Sequence, residues 1–194
     1  MTMADICMRD IRKSFGSQTV LTGFTCRFPE GEVSCVTGPS GSGKTTMLRV
    51  LAGLEKADSG EITGLDGVRI GMVFQEDRLI GAMSAVDNVR LTVNPALPVN
   101  VLVKAFQRMG LEDSMKKPAG ELSGGMARRV SLLRALLSDA DVLLLDEPFK
   151  GLDQETRASV IRFTRNMLCG RTCVLVTHDE AEARMLGAKA HIMI

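Results

Sequence analysis

The 194-residue sequence has no apolar run that approaches the roughly 20 residues needed to span a bilayer. Residues 1–10 contain no positive region followed by an apolar stretch, so we do not expect a signal peptide. The formal net charge is +1, and this near-neutral balance gives no indication of a nucleic-acid partner. We therefore expect a cytoplasmic protein that binds no nucleic acid and reaches a membrane only through a partner.

The cysteines also show no pattern typical of a disulfide framework or a metal site. The sequence has an odd number of cysteines, with no CxxC pair and no metal-ligand spacing. We interpret them as small apolar side chains in a reducing compartment. The five cysteines are Cys7, Cys26, Cys35, Cys169 and Cys173.

The sequence does contain short apolar runs that alternate with longer helical patterns. This alternation predicts an α/β fold with a mainly parallel central sheet. The length fits one domain, or one domain with an inserted subdomain. Predicted strands cover residues 32–37, 68–74, 141–147 and 174–178, and a predicted helix covers residues 45–54.

A stretch of different character runs from about residue 77 to residue 137. Its pattern is mostly helical, and three prolines punctuate it. Its last helix is predicted to begin after Ser123, and its apolar residues recur on one face at Met126, Val130, Leu133 and Leu137. We interpret this stretch as an inserted helical subdomain.

A glycine-rich loop follows the first of these strands. Gly38 to Thr45 match the pattern G-x-x-x-x-G-K-[ST], whose glycines let backbone N–H groups surround phosphate oxygens. The predicted helix directs its positive end to the same place. Lys44 can reach the β- and γ-phosphates, and the Thr45 hydroxyl can bind Mg²⁺. The alternative is a glycine-rich turn with an incidental lysine.

Polar residues follow two of the apolar strands. Asp146 needs a cation because a carboxylate at the end of an apolar strand is costly to bury, and Mg²⁺ on a nucleotide fits that need. Glu147 can polarise a water for attack on the γ-phosphate. His178 ends the second strand, and the ends of parallel strands share one edge of a sheet. The alternative for the two acids is that they only cap the next helix.

Leu122 to Met126 read LSGGM and closely resemble the LSGGQ signature of ABC ATPases. The resemblance continues through VLLLDEPF at residues 142–149 and Gly-Leu-Asp at residues 151–153, and it covers nearly the whole chain. It implies a P-loop NTPase fold with an N-terminal antiparallel β subdomain. It also implies a catalytic core at residues 1–76 and 138–194 around a helical signature subdomain at about 77–137.

The resemblance implies further roles. Phe15 resembles the aromatic residue that stacks on adenine, and the alternative is a core phenylalanine. Gln75 resembles the glutamine that joins Mg²⁺ and the attacking water to the helical subdomain, and His178 resembles the histidine that contacts the γ-phosphate. Asp153 resembles an aspartate that communicates across a dimer. The expected nucleotide-binding residues are Phe15, Gly38, Pro39, Ser40, Gly41, Ser42, Gly43, Lys44, Thr45, Thr46, Ser123, Gly124, Gly125 and Asp153.

The signature also has a physical interpretation. Ser123 caps a helix whose first residues, Gly124 and Gly125, expose backbone amides, and this makes a second anion site. In the family, this site serves the nucleotide of the other subunit, so a head-to-tail dimer is implied. Met126 stands where the family has glutamine, and we expect activity to survive because the site uses Ser123 and backbone amides.

Residues 73–80, VFQEDRLI, resemble the corresponding region of importers for nitrate, sulfonates and taurine. The resemblance implies an ATP-hydrolysing, Mg²⁺-dependent subunit of a bacterial importer. Its partners are expected to be transmembrane permease subunits, with a solute-binding protein in the complex. It is expected to lie on the inner face of the membrane. The alternatives are a subunit of an exporter or lipid-extraction complex, a soluble ABC ATPase and a P-loop kinase.

Overall fold

The computed structural model describes residues 4–194. Residues 1–3, the first part of the segment for which no signal peptide is expected and of the predicted 1–76 core, lie outside the described residues. Among the residues described, no helix is both long and apolar enough to cross a membrane.

A five-stranded parallel sheet forms the centre of the fold. Its strands are β3 (Val33–Thr37), β5 (Ile70–Val73), β6 (Val142–Asp146), β7 (Thr172–Val176) and β8 (Ala190–Met193). Their order is β5-β6-β7-β3-β8, and every pair is parallel. All residues of β6 and β7 are buried, as expected for continuous apolar runs that are covered on both faces.

A second, three-stranded antiparallel sheet contains β1 (Ile6–Phe15), β2 (Gln18–Phe28) and β4 (Ser59–Thr63) in the order β2-β1-β4. It packs over helix α1 (Lys44–Leu51) on one face of the parallel sheet. This shared core contains Ile6, Met8, Phe28, Met47, Leu48, Val142 and Val174. The predicted parallel sheet and antiparallel N-terminal sheet are therefore confirmed.

The remaining helices pack in a second core together with side chains from the other face of the parallel sheet. They are α2 (Ala85–Arg90), α3 (Val99–Arg108), α4 (Gly124–Leu136), α5 (Gln154–Leu168) and α6 (Glu180–Leu186). Between β5 and β6, the described elements are helices, two short 3-10 turns and one isolated bridge. The division of the chain into a core and an inserted helical subdomain at about 77–137 stays a prediction.

Several predicted boundaries differ by a few residues. Helix α1 ends at Leu51 rather than at residue 54 because Gly53 adopts a positive φ of 68°. Strand β5 begins at Ile70 rather than at 68, and the turn before it contains Gly67 at a φ of 71°. Strand β7 covers Thr172–Val176 rather than 174–178, so His178 lies beyond the strand in a loop.

Candidate active site

The loop between β3 and α1 folds back on itself. The Lys44 Nζ donates to the carbonyl oxygens of Gly38 at 2.9 Å and Pro39 at 2.7 Å. Gly43 precedes the helix at a φ of 100°, a conformation that favours glycine. A Cβ on Gly43 would lie 3.0 Å from the Val20 carbonyl oxygen, so a larger residue here would also need β2 to move by a few tenths of an ångström. The loop therefore places the Lys44 ammonium group beside the N-terminus of α1.

Asp146, at the end of β6, lies beside the first turn of α1. The Thr45 hydroxyl donates to its Oδ2 at 2.7 Å. Burial raises the pKa of Asp146, while the Thr45 hydrogen bond lowers it and nearby Glu147 raises it further. A carboxylate that is this well buried calls for a cation, so the Thr45 hydroxyl and the Asp146 carboxylate fit a hard divalent ion.

Glu147 and His178 form a pair at the same edge of the sheet. His178 Nδ1 lies 3.0 Å from Glu147 Oε1, and the Glu147 N–H donates to the Val176 carbonyl at 2.9 Å. Glu147 has a φ of 49°, a left-handed conformation that costs about 1–3 kcal/mol for a residue other than glycine. The hydrogen bond to Glu147, followed by its charge, raises the pKa of His178. Because His178 is 71% exposed, its ring remains accessible to a ligand.

One cavity of about 490 Å³ joins these groups. The predicted site residues that line it are Phe15, Gly38, Ser40, Gly41, Gly43, Lys44, Thr45, Thr46, Gln75, Asp146, Glu147 and His178. At its rim, Phe15 is 47% exposed and lies 5.1 Å from Lys13 Nζ, so it is not a core residue and can stack on a planar ring. The cavity thus combines a phosphate cradle, a cation site, a carboxylate and an aromatic wall.

The chain is similar to known proteins. The family model described as ABC transporter matches residues 21–150. The sulfate/thiosulfate import ATP-binding protein of Methylococcus capsulatus is 41% identical, and the match covers 91% of this chain but only 56% of that protein. The aliphatic sulfonates import ATP-binding protein of Burkholderia cenocepacia is 36% identical over 93% of this chain and 70% of that protein.

The chain belongs to the ABC transporter family. It is an ATP-binding domain of that family, and the predicted enzyme class, an ATPase, is confirmed. The solved dimeric structure of a bacterial ABC transporter cassette superposes with a TM-score of 0.83 at 28% identity, covering 97% of this chain and 94% of that one. A second, post-hydrolysis structure bound to ADP and Pi has the same TM-score at 26% identity, and covers 97% and 94% of the two chains. The predicted P-loop NTPase fold is therefore confirmed.

Two predicted loop residues of this ABC domain do not line the cavity. Pro39 instead supplies the carbonyl that accepts from Lys44. The buried Ser42 hydroxyl oxygen has no hydrogen-bond partner among the described residues.

The signature residues also lie outside the cavity. The Ser123 hydroxyl accepts from the Met126 N–H at 3.3 Å and caps α4, as predicted. Gly124 is exposed, with open space where a Cβ would stand. Asp153 accepts from the Thr156 N–H at 3.0 Å and caps α5, and this bond lowers the pKa of Asp153. Ser123, Gly124, Gly125 and Asp153 therefore do not contribute to the first cavity.

Three cavity residues were missing from the sequence prediction: Val20, Lys150 and Val176. Lys150 follows Glu147 by three residues in a turn, and its proximity in the sequence was a usable signal. Val20 comes from the antiparallel sheet, and no local motif marks it.

The donor set is also consistent with an ion that arrives with its substrate. Within residues 4–194, no cluster of three or more His, Cys, Asp or Glu side chains is placed to hold a metal. Mg²⁺ commonly uses one or two protein groups plus phosphate oxygens and waters. Thr45 and Asp146 meet that requirement.

Proposed function

We propose that this chain is the ATP-hydrolysing subunit of a bacterial ABC importer for a small solute. The observation that carries the proposal is the single cavity in which Lys44, Asp146, Glu147 and His178 converge. Import is supported by the names of the two relatives, which are ATP-binding proteins for sulfate/thiosulfate and aliphatic sulfonate import.

Substrate binding begins at the loop. The backbone N–H groups from Gly38 to Thr45 and the positive end of α1 attract the phosphates. Lys44 contributes a full positive charge at the same point. Phe15 offers the adenine ring a stacking surface at the rim of the cavity.

Asp146 and the Thr45 hydroxyl are the groups that would hold Mg²⁺, with Gln75 near enough to line the same space. When bound, Mg²⁺ neutralises charge on the phosphate oxygens. These side chains of β6 and α1 are fixed by the parallel sheet, so they orient the β- and γ-phosphates for hydrolysis.

Glu147 is the proposed general base. Its carboxylate takes a proton from a water molecule as the water oxygen attacks the γ-phosphorus. The bond between the γ-phosphorus and its bridging oxygen breaks, and the electron pair leaves with ADP. His178 holds Oε1 of the base in place, since an ionised carboxylate can only accept and Nδ1 must donate.

The backbone amides at Ser123, Gly124 and Gly125 are proposed to bind the nucleotide of a second subunit. Their position outside the cavity and the dimeric state of the solved cassette support this arrangement. Asp153 would lie near the same interface. Permease subunits would hold the dimer at the cytoplasmic face of the membrane, with a solute-binding protein completing an importer.

The first experiment compares wild type with Glu147→Gln. We expect hydrolysis to fall by about a hundredfold or more, the range of general-base catalysis, while ATP binding persists and gel filtration with ATP shows a trapped dimer. Glu61→Gln, an exposed change on β4, is the matched control and should keep full activity. Unchanged hydrolysis in Glu147→Gln, together with a monomer in ATP, would exclude Glu147 as the base.

The second experiment identifies the partner by purifying the tagged chain from its own membranes. Co-purification of permease subunits with a solute-binding protein supports import. A membrane subunit that works without any binding protein favours export or lipid extraction, while ribosomes or DNA without a membrane subunit refute transport altogether.

A further inference from the structure

A buried arginine of α4 forms hydrogen bonds with the loop that follows β5. Arg128 donates from Nη1 to the Phe74 carbonyl at 2.7 Å and from Nη2 to the Gln75 carbonyl. Its Nε lies 3.2 Å from Asp77 Oδ1. All three nitrogens of one guanidinium therefore face a single four-residue segment.

The environment makes these bonds hard to replace. Arg128 is only 7% exposed, so a lost partner could not be exchanged freely for water. Burial raises the pKa of Asp77, and the charges of Arg128 and Arg134 oppose that rise. The two carbonyl hydrogen bonds and the nearby charge of Asp77 therefore hold the Arg128 guanidinium in a place that is largely shielded from water.

A second arginine of the same helix forms hydrogen bonds with the same loop. Arg134 donates from Nη2 to the Asp77 carbonyl at 3.1 Å and from Nη1 to the Arg78 carbonyl at 2.9 Å. Together, the two arginines bind four backbone carbonyls, those of Phe74, Gln75, Asp77 and Arg78. These four hydrogen bonds tie the loop that follows β5, which ends at Val73, to helix α4.

The loop after β5 and the N-terminus of α4 lie at two different candidate binding sites. Gln75 lines the nucleotide cavity, and α4 begins at the exposed amides that follow Ser123. The first five residues of α4, from Gly124 to Arg128, join them as a short helical connection.

We propose that Arg128 is a positioning residue for ATP hydrolysis, which sets the place of Gln75 in the cavity and makes it follow the helix that starts at Ser123. An anion seated at the Ser123 end then shifts α4 and the Gln75 backbone together. This inference rests on the ATPase function proposed above and assigns to Arg128 the link between two sites.

The test compares Arg128→Lys with Arg171→Lys in the full chain. Arg171 is a matched control because it also donates to backbone carbonyls, those of Leu136 at 2.9 Å and Met167 at 2.7 Å, but none of its hydrogen bonds among the described residues reaches the segment that contains Gln75. We expect similar losses of Tm in the two variants. Only Arg128→Lys should lower kcat, by roughly tenfold or more for a displaced catalytic group, with KM for ATP within about twofold of wild type.

A double-mutant cycle with Gln75→Ala separates positioning from general stability. If Arg128 acts through Gln75, Arg128→Lys should cause no further loss of kcat once Gln75 is alanine. Arg128→Gln, which removes the charge that faces Asp77 and keeps only one NH2 group, should lower kcat at least as much as Arg128→Lys.

Two results would overturn the proposal. One is a wild-type kcat in Arg128→Lys, and the other is a kcat loss that adds fully to that of Gln75→Ala. A wild-type chain that hydrolyses no ATP would instead refute the proposed function, so the two failures are distinguishable.

Discussion

Replacing Asp146 by asparagine should stabilise the ligand-free protein while destroying its activity. Burial raises the pKa of Asp146, which means that the fold disfavours its charge. Asparagine has nearly the same shape and can still accept from Thr45, whose hydroxyl is now 2.7 Å from Oδ2. The variant therefore keeps the hydrogen bond and removes the buried charge.

The size of the effect follows from burial. Asp146 is 1% exposed, and a buried group that lacks full compensation costs about 1–3 kcal/mol. Attraction to Lys44 and Arg128 offsets part of this cost. A net gain of about 1 kcal/mol corresponds to a Tm increase of roughly 2–4 °C in a protein of this length.

The pH dependence has a definite sign. A carboxyl whose folded pKa is raised contributes stability that is fully present below its ordinary pKa of 3.8 and is lost as pH rises through the folded value. The asparagine variant does not titrate there. Its Tm advantage should be full at neutral pH and should shrink as the pH falls towards 4.

Calorimetry with and without Mg²⁺ and ATP completes the assay. At a ligand concentration of about 100 times Kd, binding stabilises wild type by about 2.7 kcal/mol, and Asp146→Asn should lose much of that gain. The two melting temperatures should then reverse their order.

Asp141→Asn, at the other end of β6, is the control. A hydrogen bond from Arg69 lowers the pKa of Asp141, so its loss should destabilise the protein at neutral pH. If the Tm of ligand-free Asp146→Asn at pH 7 is equal to or lower than that of wild type, the charge of Asp146 does not destabilise the fold and the prediction is refuted.

Three further outcomes are expected. Lys44→Ala should abolish nucleotide binding, and wild-type affinity in isothermal calorimetry would disprove the phosphate-loop assignment. Gly43→Ala should destabilise the protein by about 1–3 kcal/mol, measured by urea unfolding, because its φ is 100° and a Cβ would press against the Val20 carbonyl at 3.0 Å. Glu147→Gln should lower the pKa of His178, because the hydrogen bond to Glu147 now raises that pKa above 6.5. NMR titration of the two histidines measures the change, and an unchanged pKa would contradict the pairing.

The central strands could be predicted from sequence because their residues are apolar without interruption. Val142 to Asp146 are all buried, so the run identifies a strand that is covered on both faces. Since parallel strands end at one edge, the meeting of Asp146, Glu147 and His178 also followed from their positions after strands. The structure brings all three to one cavity.

The bonds of Arg128 could not be predicted in this way. Its partners Phe74 and Gln75 lie 54 and 53 residues away. They accept through backbone carbonyls, which every residue has, so the residue types do not reveal the contact. Val20 likewise lines the cavity only because the antiparallel sheet packs over α1. The early end of α1 was predictable in principle, because Gly53 is a common helix terminator.

The strand order has a consequence for biosynthesis. Strand β7 lies between β3 and β6, yet it is the last of these three to be made. Thr45 and Asp146, 101 residues apart, can be held together by a complete sheet only after Val176 has left the ribosome. Nucleotide should therefore bind late in synthesis, and ATP affinity would report completion of the sheet in a folding assay.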